Sequence, residues 1–201
     1  ASVAAVGLAN QVFFILNVIL LGIGGGVSVY ISQLWGNRNI APIRKVVSLS
    51  LFITMAAAFI FFLPSFIAPG NVLALFSKDR SVIALGSDYL RPVSLSFLLM
   101  APSVCFSSAL RSTGNVKLPL FTNIISLLVN TALNYILIFG RLGLPAMGVS
   151  GSAIATVVAR LTETIILLTA IYTGDRTISI KLDDLLHIPA DLVKRFFSTS
   201  G

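Results

Sequence analysis

The sequence predicts an all-α fold, a polytopic bundle of about five transmembrane helices. Of its 201 residues, 56% are hydrophobic and only 10% are charged, whereas a soluble domain usually carries roughly 25% charged residues. The mean hydropathy is +0.97. Long runs lack charge altogether, and each reaches the roughly 18–20 apolar residues that cross a bilayer core. These runs are 1–37, 46–77, 92–110 and 118–140, and a fifth run, 148–172, contains only Arg160 and Glu163.

The five predicted spans are separated by loops that contain turn-forming or charged residues. The spans cover residues 5–34, 46–68, 91–110, 118–140 and 148–173. The first uncharged run is too long for a simple span, so we expect it to start with an outer loop or to form a tilted helix. Pro119 suits the first turn of the fourth helix. Pro102 predicts a kink in the third helix unless neighbouring groups satisfy the freed carbonyl.

The charges of the loops predict the orientation of the bundle in the membrane. Nine basic residues fall on one side and four on the other, and the side richer in Lys and Arg is normally cytoplasmic. The nine are Arg38, Arg44, Lys45, Arg111, Lys117, Arg176, Lys181, Lys194 and Arg195, and the four are Lys78, Arg80, Arg91 and Arg141. The first span then runs inward from outside. With no initial Met and no charged leader, we expect a fragment that lacks at least one upstream helix.

The composition excludes several classes of function. The net charge of +7 is not accompanied by a basic patch interleaved with aromatic residues, so no nucleic-acid partner is expected. Cys105 is the only cysteine and His187 the only histidine, which argues against a disulfide framework, a metal centre or a cofactor site. One histidine in a loop and one glutamate in a span make a membrane-embedded hydrolase improbable, so we do not expect an enzyme.

The first candidate site is a pair of amides in the fourth span. Asn130 and Asn134 are four residues apart, which places them on one face of a helix. Amides between membrane helices contribute roughly 0.6–2 kcal/mol as interhelical contacts. They could equally line a hydrated cavity that takes an ion or a drug, and the sequence does not choose between these hypotheses. Asn10 and Gln11 in the first span are candidates for the same cavity.

The second candidate site is the charged pair of the fifth span. Arg160 and Glu163 are three residues apart and can meet on one helical face. A structural ion pair is favoured over a proton relay, although a titratable carboxyl group inside a membrane is a functional candidate. In the first span, the small residues Gly22 and Gly26 predict a close helix contact.

Taken together and in order, four segments resemble the multidrug and toxic compound extrusion family. They are "SQLWGNRN" (32–39), "RSTGNVKLP" (111–119), "VNTALNYILIFG" (129–140) and "GLPAMGVSGSAIATVVAR" (143–160). The resemblance implies helices two to six of a twelve-helix transporter with two six-helix lobes, in the cell (inner) membrane. Residues 1–173 would belong to the amino-terminal lobe, and 174–201 would be a cytoplasmic linker toward a second lobe that lies outside this chain.

The resemblance also implies a function and a site. Members exchange cationic or amphipathic drugs for sodium or protons, so the expected partners are the bilayer, such drugs and the second lobe. The family's site combines an aspartate of the first helix, which lies outside this chain, with polar residues of the fifth and sixth helices. Asn130 and Asn134 match the fifth-helix positions and Thr156 matches the sixth, while some relatives carry Asp in place of Asn134.

Two alternatives stay open at this point. A related flippase of lipid-linked oligosaccharides would share the bundle but needs a more cationic cavity for its diphosphate, and only Arg160 lies clearly inside a predicted span. A non-transporting structural membrane fragment is the other alternative.

Overall fold

The chain forms a bundle of α-helices. The computed structural model describes residues 2–38, 41–141, 143, 145–174 and 178, and within them the chain forms seven helices. They are α1 (Ser2–Gly36), α2 (Ala41–Ile67), α3 (Pro69–Ala74), α4 (Arg80–Val93), α5 (Leu95–Ser112), α6 (Lys117–Phe139) and α7 (Gly148–Thr173). Five of them, α1, α2, α5, α6 and α7, are long and apolar enough to cross a membrane. The predicted all-α bundle with five spans is confirmed. The predicted linker 174–201 lies outside the described residues, apart from Gly174 and Ile178.

The first span is one uninterrupted helix. α1 has 35 residues, which gives it a length of about 52 Å at 1.5 Å per residue. The hydrocarbon core of a bilayer is only about 30 Å thick. The expectation of an outer loop at the start of this span is therefore wrong for the described residues. A helix of this length must tilt or extend beyond the hydrocarbon core.

Two helices occupy the segment that the sequence analysis treated as a loop between the second and third spans. α3 is a short helix of six residues, and α4 is amphipathic and is not among the candidate spans. Asp79 caps α4 by accepting hydrogen bonds from the N–H groups of Ser81 and Val82. The Ser81 hydroxyl also donates to this carboxylate, and these bonds hold the pKa of Asp79 below its ordinary value. The third span follows α4 after Ser94 and begins at Leu95 rather than at residue 91.

The helices pack around two buried apolar clusters. α1 packs against α2, α4 and α5, whereas α6 packs mainly against α7, which in turn packs on α4 and α5. One cluster lies toward the predicted cytoplasmic end and the other toward the opposite end. The first includes Val27, Ile31, Phe106, Leu110 and Leu167, and the second includes Leu16, Leu20, Phe97, Met100 and Ala153. Both lie along α1, α5 and α7, which fixes these three helices against one another.

Glycine allows two pairs of helices to approach closely. A Cβ atom on Gly151 of α7 would lie 2.9 Å from the Leu137 carbonyl oxygen of α6. A Cβ atom on Gly24 of α1 would lie 2.7 Å from Ser108 Oγ of α5, while one on Gly22 would meet nothing within 4 Å. Within the part of the chain that the structure describes, the predicted close contact is therefore not made at Gly22. Two residues along a helix correspond to a rotation of about 200°, so Gly22 and Gly24 lie on nearly opposite faces.

Candidate functional site

A chain of hydrogen bonds joins α6 to α7 near the middle of the bundle. Asn134 Nδ2 donates to Asn130 Oδ1 at 2.9 Å, because residues four apart stack on one helical face. Asn130 Nδ2 lies 3.4 Å from Thr156 Oγ1 on α7 and donates to it. The Thr156 hydroxyl donates in turn to the Ser152 carbonyl at 3.0 Å. The structure thus brings together the three residues that the sequence and the resemblance had selected on two different helices.

The amide oxygen of Asn134 is buried and has no partner. Among the described residues, Asn134 Oδ1 and Ser65 Oγ are the buried side-chain oxygen or nitrogen atoms that make no hydrogen bond. A buried acceptor without a donor costs about 1–3 kcal/mol, so such an atom in a native protein calls for an explanation. Amide oxygens are ligands that hard cations accept. The end of the hydrogen-bond chain is therefore an oxygen atom suited to a cation.

α4 adds a side chain that the sequence analysis missed. Tyr89 is almost fully buried, and its phenol group lies beside the Thr156 side chain. The sequence predicts no helix between the second and third spans, so nothing in it places Tyr89 beside α7. In the structure Thr156 accepts a hydrogen bond from Asn130 of α6 and has Tyr89 of α4 as a neighbour.

Two polar cavities lie beside these residues. The central cavity, of about 180 Å³, is lined by Asn123, Ser126, Leu127, Asn130, Thr156, Ala159 and Arg160. The inner cavity, of about 200 Å³, is lined by Asn17, Leu21, Met100, Ser103, Val104, Ser107, Arg111, Pro119, Asn123, Arg160 and Glu163. Asn123 and Arg160 line both. The polar interior of the bundle therefore continues from the amide pair toward Arg111, at the predicted cytoplasmic end of α5.

The charged pair of α7 forms a contact on this polar path. Arg160 Nη1 lies 2.8 Å from Glu163 Oε2, and the Arg160 guanidinium lies 6.0 Å from the centre of the Phe13 ring of α1. Glu163 is the only acidic residue within the five candidate spans. The two side chains are therefore paired, as their spacing allows. A proton-carrying role for Glu163 stays a prediction.

Gln11 does not join the amide pair. It is exposed and borders a groove with Gly7, Asn10, Phe14, Ile15 and Phe76, none of which lines the central cavity. Asn10 also borders a cavity at the start of α7, with Gly148, Val149 and Ser152. Within the described residues Gln11 lies toward Phe76 and does not line the central cavity, and a binding role for Gln11 stays a prediction.

Two further amides were missed although the sequence carried a signal for them. Asn17 and Asn123 both line the inner cavity. Asn17 follows Asn10 by seven residues, and Asn123 precedes Asn130 by the same interval. Residues seven apart lie on nearly the same face of a helix. A search for amides at this spacing would have found both.

Together, the fold and the site define a polytopic helical membrane protein with a small polar interior of amides, hydroxyls and one ion pair. A family model described as MatE matches residues 1–136, more than half of the chain. The chain belongs to this family of membrane transporters, the multidrug and toxic compound extrusion family. The family resemblance of its sequence motifs is thereby confirmed.

Curated relatives carry names that agree with this family. The chain is 32% identical over 167 residues to the probable multidrug resistance protein YoeA of Bacillus subtilis, covering 83% of this chain and 36% of that protein. It is 28% identical over 162 residues to the probable multidrug resistance protein NorM of Thermotoga maritima, covering 79% of this chain and 34% of that protein. The chain thus spans about a third of the length of these relatives.

Solved structures confirm the fold. A crystal structure of MATE in the bent conformation superposes with a TM-score of 0.88 at 21% identity, over 99% of this chain and 44% of that one. An outward-facing conformation of a multidrug resistance MATE family transporter gives a TM-score of 0.86 at 21% identity, over 98% of this chain and 43% of that one. The described helices of the chain therefore have the arrangement of these solved structures.

Proposed function

We propose that this chain forms part of a secondary active antiporter that exports cationic or amphipathic drugs in exchange for sodium or protons. In this proposal Asn130, Asn134 and Thr156 hold the coupling cation. The observation that carries it is the buried Asn134 Oδ1, which has no donor among the described residues. The names of YoeA and NorM as probable multidrug resistance proteins support drugs as the exported class.

The proposed division of the polypeptide follows from the same family. Residues 1–173 would supply helices of the amino-terminal lobe, and 174–201 would connect them to a second lobe. The solved structure in the bent conformation is matched over 44% of its length, which leaves room for such a lobe. The drug would bind between the two lobes, so the activity is expected of the complete gene product.

The hydrogen-bond chain suggests how occupancy would change the site. Asn134 Nδ2 donates to Asn130 Oδ1, and this bond engages that oxygen. A cation bound at Asn134 Oδ1 would give this buried acceptor a partner. It would also attract Asn130 Oδ1 and Thr156 Oγ1 as further oxygen ligands. Because α6 and α7 each contribute a ligand, binding would favour one arrangement of the two helices over another. A site of this kind biases the populations of transport states by its differential affinity.

The chemistry of the ligands distinguishes the two coupling ions. Amides and hydroxyls do not titrate near neutral pH, so Asn130, Asn134 and Thr156 can hold sodium but cannot carry a proton. Proton coupling would require a carboxyl group, either Glu163 or the aspartate that the family resemblance places on the first helix. Either ion can drive export, since a unit charge gains about 2.3 kcal/mol per 100 mV, enough for a roughly 50-fold drug gradient.

The flippase alternative gains no support from the described residues. A lipid-linked diphosphate carries several negative charges, and a matching cavity needs several cationic side chains. Arg160 is the cationic residue on the central cavity, and Arg111 joins it on the inner cavity. Glu163 is paired with Arg160, so little net positive charge remains.

Reconstituted transport tests the proposed function. The complete gene product in liposomes is expected to move a fluorescent cationic dye against its gradient when a sodium gradient or a pH gradient of opposite direction is imposed. Dye movement would be followed by fluorescence, with empty liposomes as the control. If neither gradient drives the dye, the antiporter proposal is wrong, and movement of a lipid-linked diphosphate sugar instead would establish the flippase.

Tyr89→Phe is expected to weaken sodium binding without lowering the maximal transport rate. The substitution removes only the hydroxyl that lies beside Thr156, and a polar contact of this kind contributes at most about 0.5–1.5 kcal/mol. The half-saturating sodium concentration should therefore rise about two- to tenfold. Tyr30→Phe is the matched control, because Tyr30 packs against the other apolar cluster. An unchanged sodium dependence with a lowered melting temperature would show that Tyr89 serves packing alone.

A further inference from the structure

Arg160 separates the proposed cation site from the inner cavity. It is one of two residues that line both cavities, and the central cavity also contains Asn130 and Thr156. The other shared residue, Asn123, is uncharged. Among the described residues, Arg160 is thus the only charged residue that lines the central cavity together with Asn130 and Thr156.

The Arg160 side chain is held by a single hydrogen bond among the described residues. A guanidinium group carries five N–H donors, and this bond goes from Nη1 to Glu163 Oε2 at 2.8 Å. Its other contact is with the face of Phe13. The Arg160 side chain is 28% exposed and that of Glu163 is 8% exposed, so the carboxylate is the more deeply placed partner. Glu163 therefore anchors and neutralises a positive charge that borders the cation site.

We infer that Arg160 determines the cation affinity of the Asn130–Asn134–Thr156 site, and that Glu163 sets how much of its charge this site experiences. The inference rests on the proposed function, since it assumes that the amide site holds a cation. Paired with Glu163, Arg160 contributes a nearly neutral group. Released from Glu163, it places a full positive charge beside a site for a positive ion.

The expected size of this effect is large. At an effective dielectric constant of about 20, two unit charges change a binding constant at least about tenfold as long as they lie within about 12 Å of each other. Among the described residues, Glu163 is the only acidic side chain that lines either cavity; α1 and α6 contribute no charged group, and α5 adds the positive charge of Arg111.

The alternative hypothesis, that the Arg160–Glu163 ion pair is purely structural, predicts a different result. If Arg160 and Glu163 only stabilise α7, loss of either partner leaves an unpaired charge in the bundle and lowers stability. The melting temperatures of both single variants would then fall, and the folded protein of each variant would bind sodium with the same affinity. A charge that acts on the cation site requires the two variants to differ in their sodium affinity.

Sodium binding to the purified complete gene product tests the inference. Glu163→Gln is expected to weaken sodium binding at least tenfold, whereas Arg160→Gln should bind sodium at least as tightly as the unaltered protein. The double variant should return to within about threefold of the unaltered affinity, and Arg160→Lys, which keeps the charge, should do the same. Arg91→Gln, an exposed change on α4, is the control for loss of one positive charge.

Each contrary result overturns the inference. Equal weakening by Glu163→Gln and Arg160→Gln, or an unchanged affinity in Glu163→Gln, would show a structural pair only. Melting temperatures recorded on the same samples separate loss of folding from loss of binding, and Arg160→Lys covers the case in which Arg160→Gln does not fold. Absence of sodium binding in the unaltered protein would also refute the inference, whereas the antiporter proposal fails only if reconstituted dye transport fails.

Discussion

Cells that express the complete gene with Asn130→Ala and Asn134→Ala are expected to retain a cationic dye as cells without the transporter do. The double substitution removes the buried, unpartnered Asn134 Oδ1. It also removes both amides of the chain that leads to Thr156. Only one of the three proposed ligands remains, so we expect dye efflux to fall more than tenfold in drug-sensitised cells at matched expression.

Two variants make this result specific. Asn71→Ala removes an exposed amide from the short helix α3 and should leave efflux unchanged. Asn134→Asp keeps an oxygen ligand and adds a negative charge, so it should retain cation binding. Normal efflux by the Asn130/Asn134 double variant would mean that the two amides only join α6 to α7, and the proposed site would be wrong.

Gly151→Leu is expected to abolish the native packing of α6 on α7. A Cβ atom at this position already meets the Leu137 carbonyl oxygen at 2.9 Å and its carbonyl carbon at 3.0 Å. These are backbone atoms, and the same carbonyl accepts a hydrogen bond from Met147 N at 2.9 Å, so it cannot turn aside. Overpacking usually costs about 1–3 kcal/mol and sometimes more, and Gly151→Ala alone should lower the melting temperature.

Size-exclusion chromatography and thermal unfolding in detergent would measure this effect. We expect Gly151→Leu to give little monodisperse protein. Gly22→Leu is the matched control, because a Cβ atom on Gly22 meets nothing within 4 Å. Equal yields and melting temperatures for the two leucine variants would show that the α6–α7 contact tolerates the added side chain.

The membrane spans were predictable because their signal is local. Uncharged runs of sufficient length identify a span whatever its neighbours are, and five of the seven helices were found in this way. The signal fails for α3, which is too short, and for α4, which mixes polar and apolar residues. Tyr89 lies on α4, so a prediction without this helix could not place Tyr89 near the site.

The site was predictable in part. The spacing of Asn130 and Asn134 places both on one face, and the same kind of argument places Arg160 beside Glu163. It does not say which neighbouring helix that face meets. Gln11 shows the limit of this argument. A polar residue in an apolar span was expected at the cavity, but the position of Gln11 around the axis of α1 places it beside Phe76.

By itself, the sequence determined the class of the protein, its five spans and the pairs of polar residues within each helix. These properties depend on hydrophobicity and on a helical period of 3.6 residues, and both act over short distances along the chain. Only the tertiary structure decided that Asn130 donates a hydrogen bond to Thr156, that Asn134 Oδ1 has no donor among the described residues, and that Arg160 borders two cavities. These contacts depend on how each helix is rotated against the next, and small-residue contacts such as that of Gly151 with Leu137 settle this rotation.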